Sequence, residues 1–168
     1  MKIRNGFVSN SSSSSFIVEF DHLPKDAEEL RVMLFGSREF FYDQYPESYK
    51  EKCHWSTQEI ADIVFDDLND QVDAVEIEDE LSGGENYYEE WERNNPRPHW
   101  RDGGAYKAWS KAEREYYESM AKIDTEKFVK PNKLYFRFTY SDNEGQLGSA
   151  MEHGDLFENM KHKVISNH

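Results

Sequence analysis

The segment KLYFRFTY, residues 133–140, alternates Leu134, Phe136 and Phe138 with Tyr135, Arg137 and Thr139. A period of two is the pattern of a half-buried β-strand, because successive side chains leave opposite faces of a sheet. This run constrains the fold more than any other feature: its backbone needs partner strands, and its apolar face needs a cover. FIVEF, residues 16–20, is the other strongly strand-like run. After the turn SDNEG, the stretch QLGSAMEHG reads as a returning strand, and VDAVEIED, residues 72–79, as a short strand alternating imperfectly with acids.

The cover is read from helical signals in the middle of the chain. One helix starts near Asp26, with Glu28 and Glu29 in its first turn, Leu30, Met33 and Leu34 on its apolar face, and Gly36 as a stop. Ser56-Thr57-Gln58-Glu59 is a capping box, and Ile60, Ile63, Val64 and Leu68 follow at helical spacing, predicting a helix over about 57–69. ENYYEEWERNN forms a helix ended by Pro96 and Pro98, and a longer helix runs from Ala105 to about Lys122, with room to continue towards Pro131. The aromatic-rich stretch 37–55, interrupted by Pro46, reads as an irregular connection, the serine run from Ser9 to Ser15 as a loop joining strands, and DLFENMKHKVISNH as a helix or turn followed by a tail. The expected architecture is a single α+β domain over 1–168, an antiparallel sheet packed against several helices.

At 168 residues the chain is the size of one domain, and its 11 Phe, 10 Tyr and 4 Trp supply the apolar area for a core. No apolar run approaches the 18 or so residues of a membrane span, so membrane association is not expected. The opening residues carry no apolar signal region, and the single Cys53 allows no internal disulfide. A reducing, cytoplasmic setting is therefore expected.

Charge is distributed unevenly. No Lys or Arg occurs between Lys52 and Arg93, whereas fourteen acids lie between Glu59 and Glu92, equal to the whole net charge of −14. The rest of the chain is balanced. Glu59, Asp62, Asp66 and Asp70 recur along one face of the helix expected there, and a step of four residues rises about 6 Å, comparable to phosphate spacing along a nucleic-acid strand. Each like-charged pair opposes folding by a few tenths of a kcal/mol, which a basic partner would offset. RPHWR, residues 97–101, is too short a basic cluster to support direct nucleic-acid binding at this net charge.

Two segments carry a resemblance. RNGFVSNSSSSSFIV, residues 4–18, resembles the opening of a scattered family of small uncharacterised proteins from bacteriophages and bacteria, and YSDNEGQLGSAMEHGDLF with the ISNH ending is similar to the C-terminal part of some members. Together they cover about a quarter of the chain. The resemblance implies a phage or mobile-element setting and no particular chemistry. Members tend to end in two adjacent histidines, whereas Asn167 precedes His168 here.

Two constellations suggest chemistry. The hydroxyls and backbone N–H groups of Ser11, Ser12, Ser13, Ser14 and Ser15, beside Arg4, are suited to cradling an anion, although the glycines and lysine of a phosphate-binding loop are absent. His153, His162 and His168, with Glu152 and Asp155 beside the first, offer imidazoles and carboxylates for acid–base work or for a divalent metal, at spacings that match no tight metal motif. Cys53-His54-Trp55 reads as a packing element, since neighbours on a chain point apart. The leading expectation is an acidic interaction protein, phage-encoded by its resemblance, that binds a basic surface of a host protein as a phosphate or nucleic-acid mimic. Its rival is a small enzyme acting on a phosphorylated or nucleotide substrate through the serine loop and the histidines, the only reading that calls for a divalent metal. A structural virion component is a third expectation.

Overall fold

A computed structural model describes residues 13–42, 54–83 and 87–167. Strand β1 (Ser13–Phe20) is the centre of a three-stranded antiparallel sheet, flanked by β4 (Leu134–Ser141) and β5 (His162–Asn167). Its register sets Phe16 opposite Phe138 on one side and Val164 on the other. Between β1 and β4 the chain forms α1 (Ala27–Phe35), β2 (Phe40–Tyr42), β3 (His54–Ser56), α2 (Thr57–Asp66), α3 (Ala74–Gly83), α4 (Tyr88–Asn94) and α5 (Gly103–Phe128), and α6 (Gly145–His153) separates β4 from β5. The expected α+β architecture is therefore present.

The sheet is the middle of three layers. Phe16, Val18 and Phe20 of β1, with Phe136, Phe138 and Tyr140 of β4, face α1, α2 and α6 and pack on Leu34, Ile60, Val64 and Met151. Ile17, Tyr135 and Ile165 leave the other face and pack on Ile77 and Leu81 of α3 and on Ala121 and Phe128 of α5. On the odd-numbered side of β4, Tyr135 belongs to the second core at 4% exposed, whereas Arg137 is half-buried and Thr139 is exposed. The Tyr135 hydroxyl donates to Glu19 Oε2 (3.0 Å) and accepts from Lys130 N (2.7 Å), so this second core tolerates a polar group at its edge.

Capping chemistry fixes the helices that the sequence reveals. Asp26 accepts from Glu29 N at 2.9 Å to open α1, and Gly36 closes it at φ 59°, a conformation open to glycine. Ser56 Oγ accepts from Glu59 N at 3.1 Å to open α2, which stops at Asp66. Asp102 caps α5, which takes Gly103 and Gly104 into its first turn and continues to Phe128. The buried positions of α5 are Ala121, Thr125 and Phe128 near its C-terminal end, while the rings of Trp109 and Tyr116 pack at a tilt against Trp91 of α4.

Several expectations are corrected. VDAVEIED is not a strand: Asp73 Oδ1 accepts from Val75 N (2.8 Å) and Glu76 N (3.0 Å), Glu76 Oε2 accepts from Asp73 N (2.9 Å), and this reciprocal cap starts α3. Only 70–72 is extended, with Val72 N donating to Tyr135 O and Arg137 N to Asp70 O, both at 2.9 Å. QLGSAMEHG is helix α6, and the true return strand is β5, which pairs with β1 instead of β4. Within 37–55, β2 and β3 pair as a small two-stranded sheet. Ser13, Ser14 and Ser15 belong to β1 rather than to a loop, Ser14 and Ser15 are buried, and Ser15 Oγ lies 3.1 Å from Thr139 Oγ1 across the sheet. The remainder of the serine run lies outside the described residues.

Candidate functional site

A concavity opens beside β4. The segment 70–72 covers the outer edge of β4 at Tyr135–Arg137 and, traced backwards, swings away towards the end of α2. On the opposite wall α6 folds back against β4. It can do so because residue 148 is glycine: a Cβ there would collide with Ser141 O and lie 2.7 Å from Glu144 Cβ. The wedge left between the two is a cavity of about 460 Å³ whose walls include Ile63 of α2, Phe138 of β4, and Leu147 and Met151 of α6.

Its rim is charged. Asp67, Asp70 and Glu144 line it together with Arg137. Arg137 Nε donates to Asp70 Oδ2 at 2.7 Å and Nη1 to Glu80, so one guanidinium joins strand, loop and α3. The hydrogen bond that Arg137 donates to Asp70, with that to Glu80, pushes the guanidinium pKa above its already high ordinary value. Tyr140 Oη donates to Asp67 Oδ2 at 3.4 Å, and burial, with Asp67 beside it, pushes the phenol well above its ordinary value. Tyr140 therefore stays a neutral donor and Arg137 stays a cation at any ordinary pH, leaving the carboxylates to define the character of the rim.

The acidic residues singled out in the sequence divide accordingly. Glu59, Asp62 and Asp66 are exposed positions of α2. Asp70 lies beyond the end of that helix and is engaged by Arg137. Asp67, Glu144, Thr139 and Arg137 were missed as site residues; a lone arginine inside an otherwise apolar strand was the available signal.

The histidines are not gathered in the same way. His153 lines a separate cavity of about 370 Å³ with Arg38, Tyr42, Gly154 and Asp155, and its Nε2 lies 3.6 Å from Glu152 Oε2. Glu152 is buried at the end of α6 and accepts from Asp142 N at 2.8 Å, a structural contact across the β4–α6 turn. Arg38 clamps Asp155 with both terminal nitrogens, at 2.8 and 3.3 Å, and that hydrogen bonding holds the Asp155 carboxyl below the usual carboxylate range. His162 opens β5 instead, with Nδ1 3.0 Å from Met160 O and its ring against Phe16 and Phe157. His153 and His162 therefore stand in different surroundings. Arg4, Ser11, Ser12 and His168 lie outside the described residues.

Among the described residues no group of three or more His, Cys, Asp or Glu side chains is placed to hold a metal ion, and no helix is long and apolar enough to cross a membrane. Comparison with protein-family models, with curated proteins and with solved structures finds no match to this chain.

Proposed function

We propose that this protein is an interaction module that sets the acidic stretch running through α2, the turn after it and α3 against a basic surface of another protein, a host factor if the phage setting implied by its resemblance applies. The observation that supports this reading most is the division of labour among the acids of that stretch. Asp70 and Glu80 are drawn into Arg137, whereas Asp62, Asp66, Asp73, Glu76 and Asp79 stand at exposed positions in a stretch whose sequence contains no Lys or Arg. Asp62 and Asp66 are one helical turn apart, so their carboxylates form a short row, the simplest imitation of a phosphate strand.

Pairing with cations on a partner would relieve the repulsion within this row and is strongly screened by salt. The test is capture of proteins from a bacterial lysate on the immobilised full chain, at about 0.1 M and about 1 M salt, where the screening length falls from about 10 to about 3 Å. Captured proteins should be basic, should elute at high salt, and should be lost from the Asp62→Asn, Asp66→Asn, Asp79→Asn triple variant. Retention of the same proteins by that variant would overturn the reading.

A further inference from the structure

We propose that the cavity beside Thr139 receives one long cationic side chain, arginine or lysine, from a basic partner segment whose backbone lies along the open end of the β4 edge. The inference rests on the interaction reading above and gives it a defined point of contact.

The edge is covered only in part. Val72 N donates to Tyr135 O, and Asp70 O accepts from Arg137 N. In an antiparallel strand these groups point alternately to the two neighbours, so the N–H and C=O of Thr139 also point away from β1. Among the described residues the covering chain makes no backbone bond to Thr139, which instead lines the cavity. An incoming backbone thus meets a donor and an acceptor at the mouth of a hole.

The hole suits one class of side chain. Ile63, Leu147 and Met151 offer apolar wall for a chain of methylenes, and the carboxylates of Asp67 and Glu144 offer charge at the rim. Arginine and lysine are the side chains that combine an apolar stem with a cationic head. A neutral apolar side chain would bring nothing to the carboxylates, and an anion would be repelled by them. Arg137 does not reverse this, because Asp70 and Glu80 already share its single positive charge.

The test uses the full chain and five-residue capped peptides with a central arginine, lysine or citrulline between glycines, titrated while backbone amide resonances are followed. The arginine and lysine peptides should shift Thr139 and Leu147, and citrulline, which keeps the shape and loses the charge, should bind at least about tenfold more weakly. Comparison of the first two shows which cation the cavity prefers. The Asp67→Asn, Glu144→Gln double variant alters exposed side chains and should weaken the arginine and lysine peptides to the citrulline level, whereas the triple variant at Asp62, Asp66 and Asp79 should leave the shifts at Thr139 unchanged. Equal shifts from citrulline, no shift at Thr139, or shifts confined to α2 and α3 would overturn the cavity proposal while leaving the acidic-stretch reading standing. Lysate capture unaffected by the triple variant, with the peptide shifts intact, would do the reverse.

Discussion

Arg137 shows how much one side chain can organise. It leaves β4 on the α3 side of the sheet and joins carboxylates from the 70–72 segment and from α3, so the edge of the sheet, the loop that covers it and the second helix layer share a single fastening. A guanidinium suits the position because its planar fork presents several donors in fixed directions, which an ammonium does not. Arg137→Ala should leave Asp70 and Glu80 facing one another without a counter-charge and cost about 1–3 kcal/mol in urea unfolding. Arg137→Lys should recover only part of that loss. Adding Asp70→Asn and Glu80→Gln to the alanine variant should restore stability, because the penalty lies in the stranded carboxylates; no recovery would show that the arginine acts through packing alone.

At the scale of elements, α3 depends on its first turn. Asp73 receives two backbone N–H groups and Glu76 returns the bond, while Ile77 and Leu81 bury the face that meets α5. Asp73→Ala should lower stability by about 1 kcal/mol, with faster amide exchange concentrated in α3; uniform exchange across the molecule would argue against a local cap. This helix also marks where sequence reading stops. The starts of α1 and α2 were legible because their caps precede obvious apolar faces, and β1 and β4 because large apolar residues crowd them. In VDAVEIED, a window with Val72, Val75 and Ile77 satisfies strand and helix periods about equally, and the hydrogen bonds of Asp73 and Glu76 that start the helix emerge only in the structure. α6 was hidden for a different reason: its Gly148 allows the close approach to Ser141 and weakens the helix signal. β5 carries His, Lys and Asn in a strand where Ile165 is the inward apolar anchor, so it shows little of the pattern that announces a strand. The cavity was beyond reach altogether, since its walls come from α2, β4 and α6 and meet only through tertiary packing.

For the whole molecule, a net charge of −14 concentrated between Glu59 and Glu92 acts against compactness. Raising salt from about 0.01 to about 0.1 M shortens the screening length from about 30 to about 10 Å, and the thermal midpoint should rise across that interval. A falling midpoint would mean that pairs such as Lys163–Asp124 and Arg38–Asp155 outweigh the repulsion. The position of β1 carries a consequence in time. Phe20 pairs with Leu134, and Val18 with His162, so the central strand is synthesised on the order of a hundred residues before either neighbour exists. At roughly 5–20 residues per second it waits on the order of ten seconds with both edges bare. The helices between can fold locally in that interval, but the strand that will become the middle of the sheet cannot be shielded by its own partners. Every nascent copy therefore carries an adhesive template for other chains, and the pace at which the ribosome passes from Phe20 to the two C-terminal strands decides how long that template stays open.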